Sequence, residues 1–150
     1  TLLPDIFITK LYGKSTVILH GDTLCTLDIV YQRFRRFRSI PVIRWIYCHL
    51  PKQTRLNIAT KIRQKSQLGN KQKQYEIMDV EPSAVDSLLT QTGCSLMIHG
   101  HTHRPAIHQL PNGLKRVVVG DWYTQGSVLM VSPEGCNLLQ LPFDANFPPT

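Results

Sequence analysis

Two imidazoles separated by one residue stand in Gly100-His101-Thr102-His103, directly after the apolar run Ser95-Leu-Met-Ile98 and His99. In an extended segment, side chains at i and i+2 point the same way. The spacing therefore predicts that His101 and His103 face one metal centre together from the carboxyl end of a strand, where open α/β sheets bind their ligands. His20 holds the same station after the run Ser15-Thr-Val-Ile-Leu19, and Gly21 and Asp22 follow it. The glycine lets a substrate come close to the backbone, and the carboxylate is placed to orient an imidazole. A lone histidine after a strand is usually a hydrogen-bonded structural residue, but three in two strand-end motifs favour metal ligation by His20, His101 and His103 as a set. His99 closes its strand before a glycine that can turn the chain, and His49 and His108 have no evident partners in sequence. Those three read as structural.

The acids are as informative as the histidines. Two divalent cations ~3.5–4 Å apart, the arrangement that serves phosphoryl transfer, normally need bridging carboxylates, and three imidazoles do not suffice. Asp22 and Asp121 are the acids that fall at strand ends near a histidine.

The elements that must position these residues read as α/β. Buried strands are expected at 15–19 and 95–98, and further strands at 116–120, 127–131 and 137–141. Pro111-Asn-Gly113 and Ser132-Pro-Glu-Gly135 supply turns for a meander. A helix is expected at 80–92, with Asp79 as its N-cap, Pro82 in its first turn and Gly93 in the left-handed position that ends it. Between the two histidine motifs lies a different composition: residues 29–75 carry twelve Lys and Arg and no acid, which leaves five cations against ten acids elsewhere. Tyr31, Phe34 and Phe37 recur every three residues, and Trp45 and Ile46 lie near Leu50. Pro41 and Pro51 cut the stretch into several short helices, with 66–73 as a loop. The Pro-rich 147–150 reads as a frayed tail.

The length of 150 residues, with 42% hydrophobic and 18% charged residues, supports a packed core and excludes collagenous, coiled-coil and largely disordered chains. A formal charge of +7 points to an anionic partner: phosphate, nucleic acid or a membrane surface. Cys25, Cys48, Cys94 and Cys136 stand far apart without metal-finger spacing and read as reduced thiols of a cytosolic protein. Arg44, Lys52, Thr90, Gln91 and Thr92 interrupt every apolar run before it reaches membrane-spanning length. The chain opens on Thr1 with no signal-peptide pattern, so an internal start within a longer polypeptide is expected.

On these residues a resemblance can be stated. Val17 to Asp22, followed far downstream by Gly-His-Thr-His, is similar to the second half of a calcineurin-like metallophosphoesterase. More narrowly, His20-Gly-Asp-Thr-Leu-Cys25, the basic insert, Ile77-Met-Asp-Val80, Ile98 to Pro105 and Gly120 to Gly126 resemble the UDP-2,3-diacylglucosamine diphosphatase family of the Gram-negative lipid A pathway, over about residues 11–143. The resemblance implies the C-terminal part of a four-layer α/β/β/α sandwich. Residues 1–150 would form a partial metallophosphoesterase domain, and a basic helical lid would be inserted at about 28–79. It implies hydrolysis at the α-phosphorus of UDP-2,3-diacylglucosamine to UMP and 2,3-diacylglucosamine 1-phosphate by a manganese pair, on the cytoplasmic face of the inner membrane as a peripheral protein. His20, His101 and His103 match the family's downstream metal ligands. The upstream Asp-x-His, bridging Asp and Gly-Asn-Arg-Asp motifs are absent from this sequence, so this fragment alone is expected to be inactive. Asp28, Ser66, Asn70, Lys73 and His101 carry over as substrate contacts, and Arg63 and Tyr31 less directly. No catalytic residue beyond the metal ligands is implied. Leu27 stands where the family often shows a second acid, which removes any role for a carboxylate pair there.

A cationic, amide-bearing loop suits anionic oxygens through charge-assisted hydrogen bonds. Phe34, Phe37, Trp45, Ile46 and Leu50 suit acyl chains, unless they form the insert's own core. Two other functions fit less well. A metallophosphoesterase for a different phosphoester needs no basic apolar insert. A nucleic-acid-binding module would use the cations and leave the histidines idle. No nucleic acid and no obligate protein partner are expected.

Overall fold

Thr16, Val17 and Ile18 are β-branched, and a run of this kind favours a strand packed on both faces. In the computed structural model, which describes residues 2–72, 79–123 and 125–143, they lie in strand β2 (Lys14–Leu19). A strand that the sequence reading did not identify, β1 (Ile6–Leu11), precedes it and pairs with it antiparallel, Ile6 opposite Leu19 and Leu11 opposite Lys14. Tyr12 and Gly13 join the two with φ of 47° and 81°, the left-handed pair that a two-residue hairpin turn requires.

On its other side β2 pairs in parallel with β3 (Leu96–His99), and β3 pairs in parallel with β5 (Lys115–Val118). A second strand missed in the sequence, β4 (Ala106–Gln109), is antiparallel to β5 and joined to it through a single 3-10 turn, Pro111–Gly113. The five-stranded sheet is thus mixed, in the order β1-β2-β3-β5-β4, with its three parallel strands innermost. Strands β6 (Gln125–Ser132) and β7 (Gly135–Pro142) form a separate hairpin about the expected Ser132–Gly135 turn. There the Ser132 hydroxyl donates to Glu134 at 2.6 Å and, with a backbone hydrogen bond, holds that carboxyl below its usual range.

The pleat divides the core between two faces. Leu96, Ile98 and Val117 point to one face, where Leu129, Val131, Cys136 and Leu138 of the hairpin pack against them. Val17, Met97, His99 and Val118 point to the other and are almost fully buried. Helix α4 (Pro82–Thr92) leads into β3 and buries Val85 and Leu89. Its N-cap is Glu81 instead of the expected Asp79: the Glu81 carboxylate accepts from Ser83 N at 3.3 Å, two residues nearer the Pro82 that starts the helix. Gly93 ends it at φ 62°, as expected, and Cys94 N reaches back to Leu89 O at 3.3 Å.

The chain divides into two compact units, residues 1–24 with 80–150, and residues 25–79. The second unit holds helices α1 (Ile29–Ser39), α2 (Pro41–His49) and α3 (Lys52–Gln72). Proline at the first helical position and Asp28 as N-cap, its Oδ1 accepting from Tyr31 N at 3.0 Å, set two of the helix starts. One expectation is corrected here. The segment from Ser66 through Gln72 is the end of α3, not a loop, because the Gln, Lys and Leu there are good helix formers and no proline interrupts them. Lys73 and the tail lie outside the described residues. Helices α1 and α2 bury none of their residues: Phe37 is 55% exposed and Trp45 62%. Among the described residues no helix is long and apolar enough to cross a membrane, and the four cysteines form no disulfide.

Candidate active site at the ends of the parallel strands

His20 leaves β2 and is followed by Gly21 at φ 105°, after which a single 3-10 turn, Asp22–Leu24, closes with Leu24 N on Gly21 O at 3.0 Å. Asp22 is buried in that turn. His99 ends β3, and the next residue ties the two strand ends together: Gly100 N donates to His20 O at 3.0 Å. The buried His99 ring braces the same junction. An arginine only donates, so the 3.4 Å contact from Arg116 Nη1 makes His99 Nε2 an acceptor and leaves Nδ1–H to donate to Gly100 O at 2.9 Å. This is the structural role expected of His99, and Arg116 is the partner that sequence alone did not reveal.

Gly21 has no room for a side chain: a Cβ there would stand 2.7 Å from His99 Nδ1, in a backbone region that disfavours L residues. Gly21→Ala is expected to lower stability by about 2–4 kcal/mol, strain and displacement of the ring together. Gly93→Ala meets nothing within 4 Å and adds the left-handed cost alone, ~1 kcal/mol. Chemical denaturation of the two variants checks the difference. Equal losses would mean that the His99 ring is not closely held.

The Gly100–His103 segment is not extended. His101 has φ 68° and His103 φ 54°, both left-handed, with a penalty of ~1–3 kcal/mol that side chains other than glycine incur there. The i, i+2 argument for parallel side chains therefore fails, and the two imidazoles meet different partners. His101 turns to His20, Nδ1 to Nε2 3.2 Å apart, with ring centroids 5.0 Å apart and planes at 72°. His103 turns to Asp121, Nδ1 to Oδ2 3.2 Å, with the Tyr123 ring 5.8 Å away. Between them the Thr102 hydroxyl is buried without a hydrogen-bond partner. Among the described residues, no group of three or more His, Cys, Asp or Glu converges on one point.

The donor chemistry fits half of a metal site. Two imidazole nitrogens 3.2 Å apart, each ~2.1 Å from a common cation, would subtend about 100° at it, an ordinary angle between neighbouring ligands. Without a cation, one nitrogen must carry the proton that the other accepts.

The remaining site expectations fall in the second unit. Asp28 is buried as the cap of α1. Arg63 and Ser66 are exposed on α3, Asn70 lies near that helix's end, and Lys73 is outside the described residues. His49 is structural: its Nδ1 lies 2.7 Å from Trp45 O, and its ring stacks on the Trp45 indole at 4.2 Å.

No family model matches. The chain is 71% identical over 142 residues to the UDP-2,3-diacylglucosamine hydrolase of Shewanella frigidimarina, covering 95% of this chain and 59% of the relative. It is 64% identical over 145 residues to the protein of that name from Shewanella sp. strain MR-4, and 62% over 143 residues to that of Shewanella piezotolerans. The chain is a homologue of these hydrolases over nearly all its length, and it spans about three fifths of theirs. Among solved structures, vacuolar protein sorting 29 of Cryptosporidium parvum aligns at 10% identity and a TM-score of 0.43, over 95% of this chain and 58% of its own, too distant a likeness to argue from.

Proposed function

We propose that these residues form part of a hydrolase that splits the pyrophosphate of UDP-2,3-diacylglucosamine by addition of water at the α-phosphorus, giving UMP and 2,3-diacylglucosamine 1-phosphate in lipid A synthesis. The observation that carries this reading is the 71% identity to a UDP-2,3-diacylglucosamine hydrolase across 95% of the chain. The His20–His101 pair at the strand ends supports it from chemistry.

In this reading the five-stranded sheet and the β6–β7 hairpin are the β layers of a metallophosphoesterase sandwich. His20 and His101 hold a divalent cation, manganese in a pair of such ions, and His103 ligates through its Nε2. A bound dication would polarise the phosphoryl oxygens and offset charge as the bond to the leaving group breaks. Carboxylates to bridge two ions come from outside the described residues, because two imidazoles neutralise nothing. The basic helices of the second unit act as a lid: Asp28, Arg63, Ser66, Asn70 and Lys73 meet the sugar and phosphates, and the exposed aromatics of α1 and α2 meet acyl chains. The same combination of Arg, Lys and exposed aromatics suits the anionic surface of the inner membrane from its cytoplasmic side.

The test is a manganese-dependent assay on the UDP-lipid. The natural protein carrying these residues should release UMP, and a chelator should abolish the release. The 150-residue chain alone should bind manganese weakly, with a Kd in the millimolar range, about 4 kcal/mol, and hydrolyse nothing. Release of UMP that survives chelation would overturn the metal-dependent reading, and turnover by the isolated chain would show that no outside carboxylate is needed.

A further inference from the structure

We infer that Asp121 is the positioning residue for His103, fixing its imidazole as the Nδ1–H tautomer so that Nε2 is left as the ligating nitrogen. The metal role of His103 rests on the proposed function, but the tautomer does not.

The side-chain chemistry leaves little choice. An ionised carboxylate accepts hydrogen bonds and cannot donate, so the 3.2 Å contact between Asp121 Oδ2 and His103 Nδ1 places the proton on Nδ1. A histidine whose Nδ1–H is held by a carboxylate presents the Nε2 lone pair in a set direction, the arrangement in which metal-bound imidazoles are usually supported.

The carboxylate is itself held. Asp121 lies three residues beyond β5, in a segment clamped against β6 by two hydrogen bonds to one residue: Gly120 N donates to Ser127 Oγ and Trp122 Nε1 to Ser127 O, each at 2.9 Å. Gln125 Nε2 reaches the second carboxylate oxygen, Asp121 Oδ1, at 3.5 Å. Gly120 is enclosed so tightly that a Cβ would meet Ser127 Oγ at 2.8 Å and Pro105 Cγ at 3.3 Å. Pro105 stands two residues after His103, so this close approach ties the Asp121 segment to the loop that carries the imidazole. The pair is only partly shielded, His103 42% and Asp121 24% exposed, so the tautomer depends on this geometry more than on burial.

The experiment reads the imidazole nitrogens directly, by long-range 1H–15N spectra of the natural protein carrying these residues, free of metal and at a pH where the rings are neutral. In the unaltered protein His103 should show a protonated Nδ1 and a bare Nε2. Asp121→Ala should move the ring to a mixture in which the Nε2–H form predominates, and Asp121→Glu should restore the Nδ1–H form in part. A His103 tautomer unchanged by Asp121→Ala, or an Nε2–H form in the unaltered protein, overturns the inference.

Manganese titration then ties the tautomer to ligation. Asp121→Ala should weaken binding about ten- to a hundredfold, as loss of a residue that orients a ligand does, and His103→Ala should weaken it at least as much. If His103→Ala weakens binding and Asp121→Ala does not, the positioning role is overturned. If His103→Ala changes nothing, the metal reading of that residue fails while the tautomer result stands by itself.

Discussion

His101→Ala is expected to lower metal-dependent release of UMP by roughly a hundred- to several-thousandfold, while the melting temperature moves by only a few degrees. A lost imidazole ligand removes about 3–5 kcal/mol of stabilisation from the developing charge. The fold loses little, because His101 lies on a loop after β3 and its ring meets another imidazole at 3.2 Å. His20→Ala should have a similar effect. The double variant should be hardly worse than either single one, since residues that act as a unit are not additive. His49→Ala is the control: that ring is exposed, stacks on Trp45 and bonds the carbonyl of its own helix, so turnover should be nearly unchanged. Steady-state rates on the UDP-lipid, with thermal unfolding measured alongside, decide the matter. An equal loss for His101→Ala and His49→Ala would remove the basis for separating ligands from structural histidines.

The position of the strand-end histidines was legible in the sequence, and the reason is strand periodicity. Buried parallel strands are continuous apolar runs, so β2 and β3 and the histidines that follow them could be placed by pattern alone. What pattern could not supply was the backbone between Gly100 and His103. Two left-handed histidines on either side of Thr102 are a local exception to the extended pattern, with His101 meeting His20 and His103 meeting Asp121, where an extended reading aimed both at one point. Strand β1 was missed because Tyr12-Gly13 lacks the Asn or Asp that usually marks a two-residue hairpin. Four-residue β4 is too short for a period to show. The end of α3 was read as a loop because a helix polar on every side carries no apolar stripe. Arg116 as the partner of His99 is a cross-strand relation, set by the register of β3 against β5 and invisible in one dimension.

Replacing Phe37 and Trp45 together by alanine is the second change with a large expected effect, and its signature is dependence on acyl-chain length. The sequence left two roles for these aromatics, an acyl surface or the core of the basic helices. The helices that bear them bury none of their residues, and the two rings are more than half exposed. Truncation therefore removes little packing, chiefly the stack of Trp45 on His49, and should lower stability by about 1 kcal/mol or less. Against a long-chain substrate the same truncation removes apolar contact that a fully covered aromatic values at ~1.5–3 kcal/mol. With each ring only partly covered, kcat/KM should fall about ten- to a hundredfold, mostly through KM. On an analogue with shortened acyl chains the penalty should shrink towards unity, because the lost contact has nothing to bind. Arg63→Ala on α3 gives the contrast: if that charge meets phosphate oxygens as proposed, both substrates need it equally and its penalty should persist on the short-chain analogue. If the aromatic penalty is the same for long and short chains, the exposed face of α1 and α2 does not receive the acyl groups, and its apolar residues must be explained by contact with the membrane surface alone.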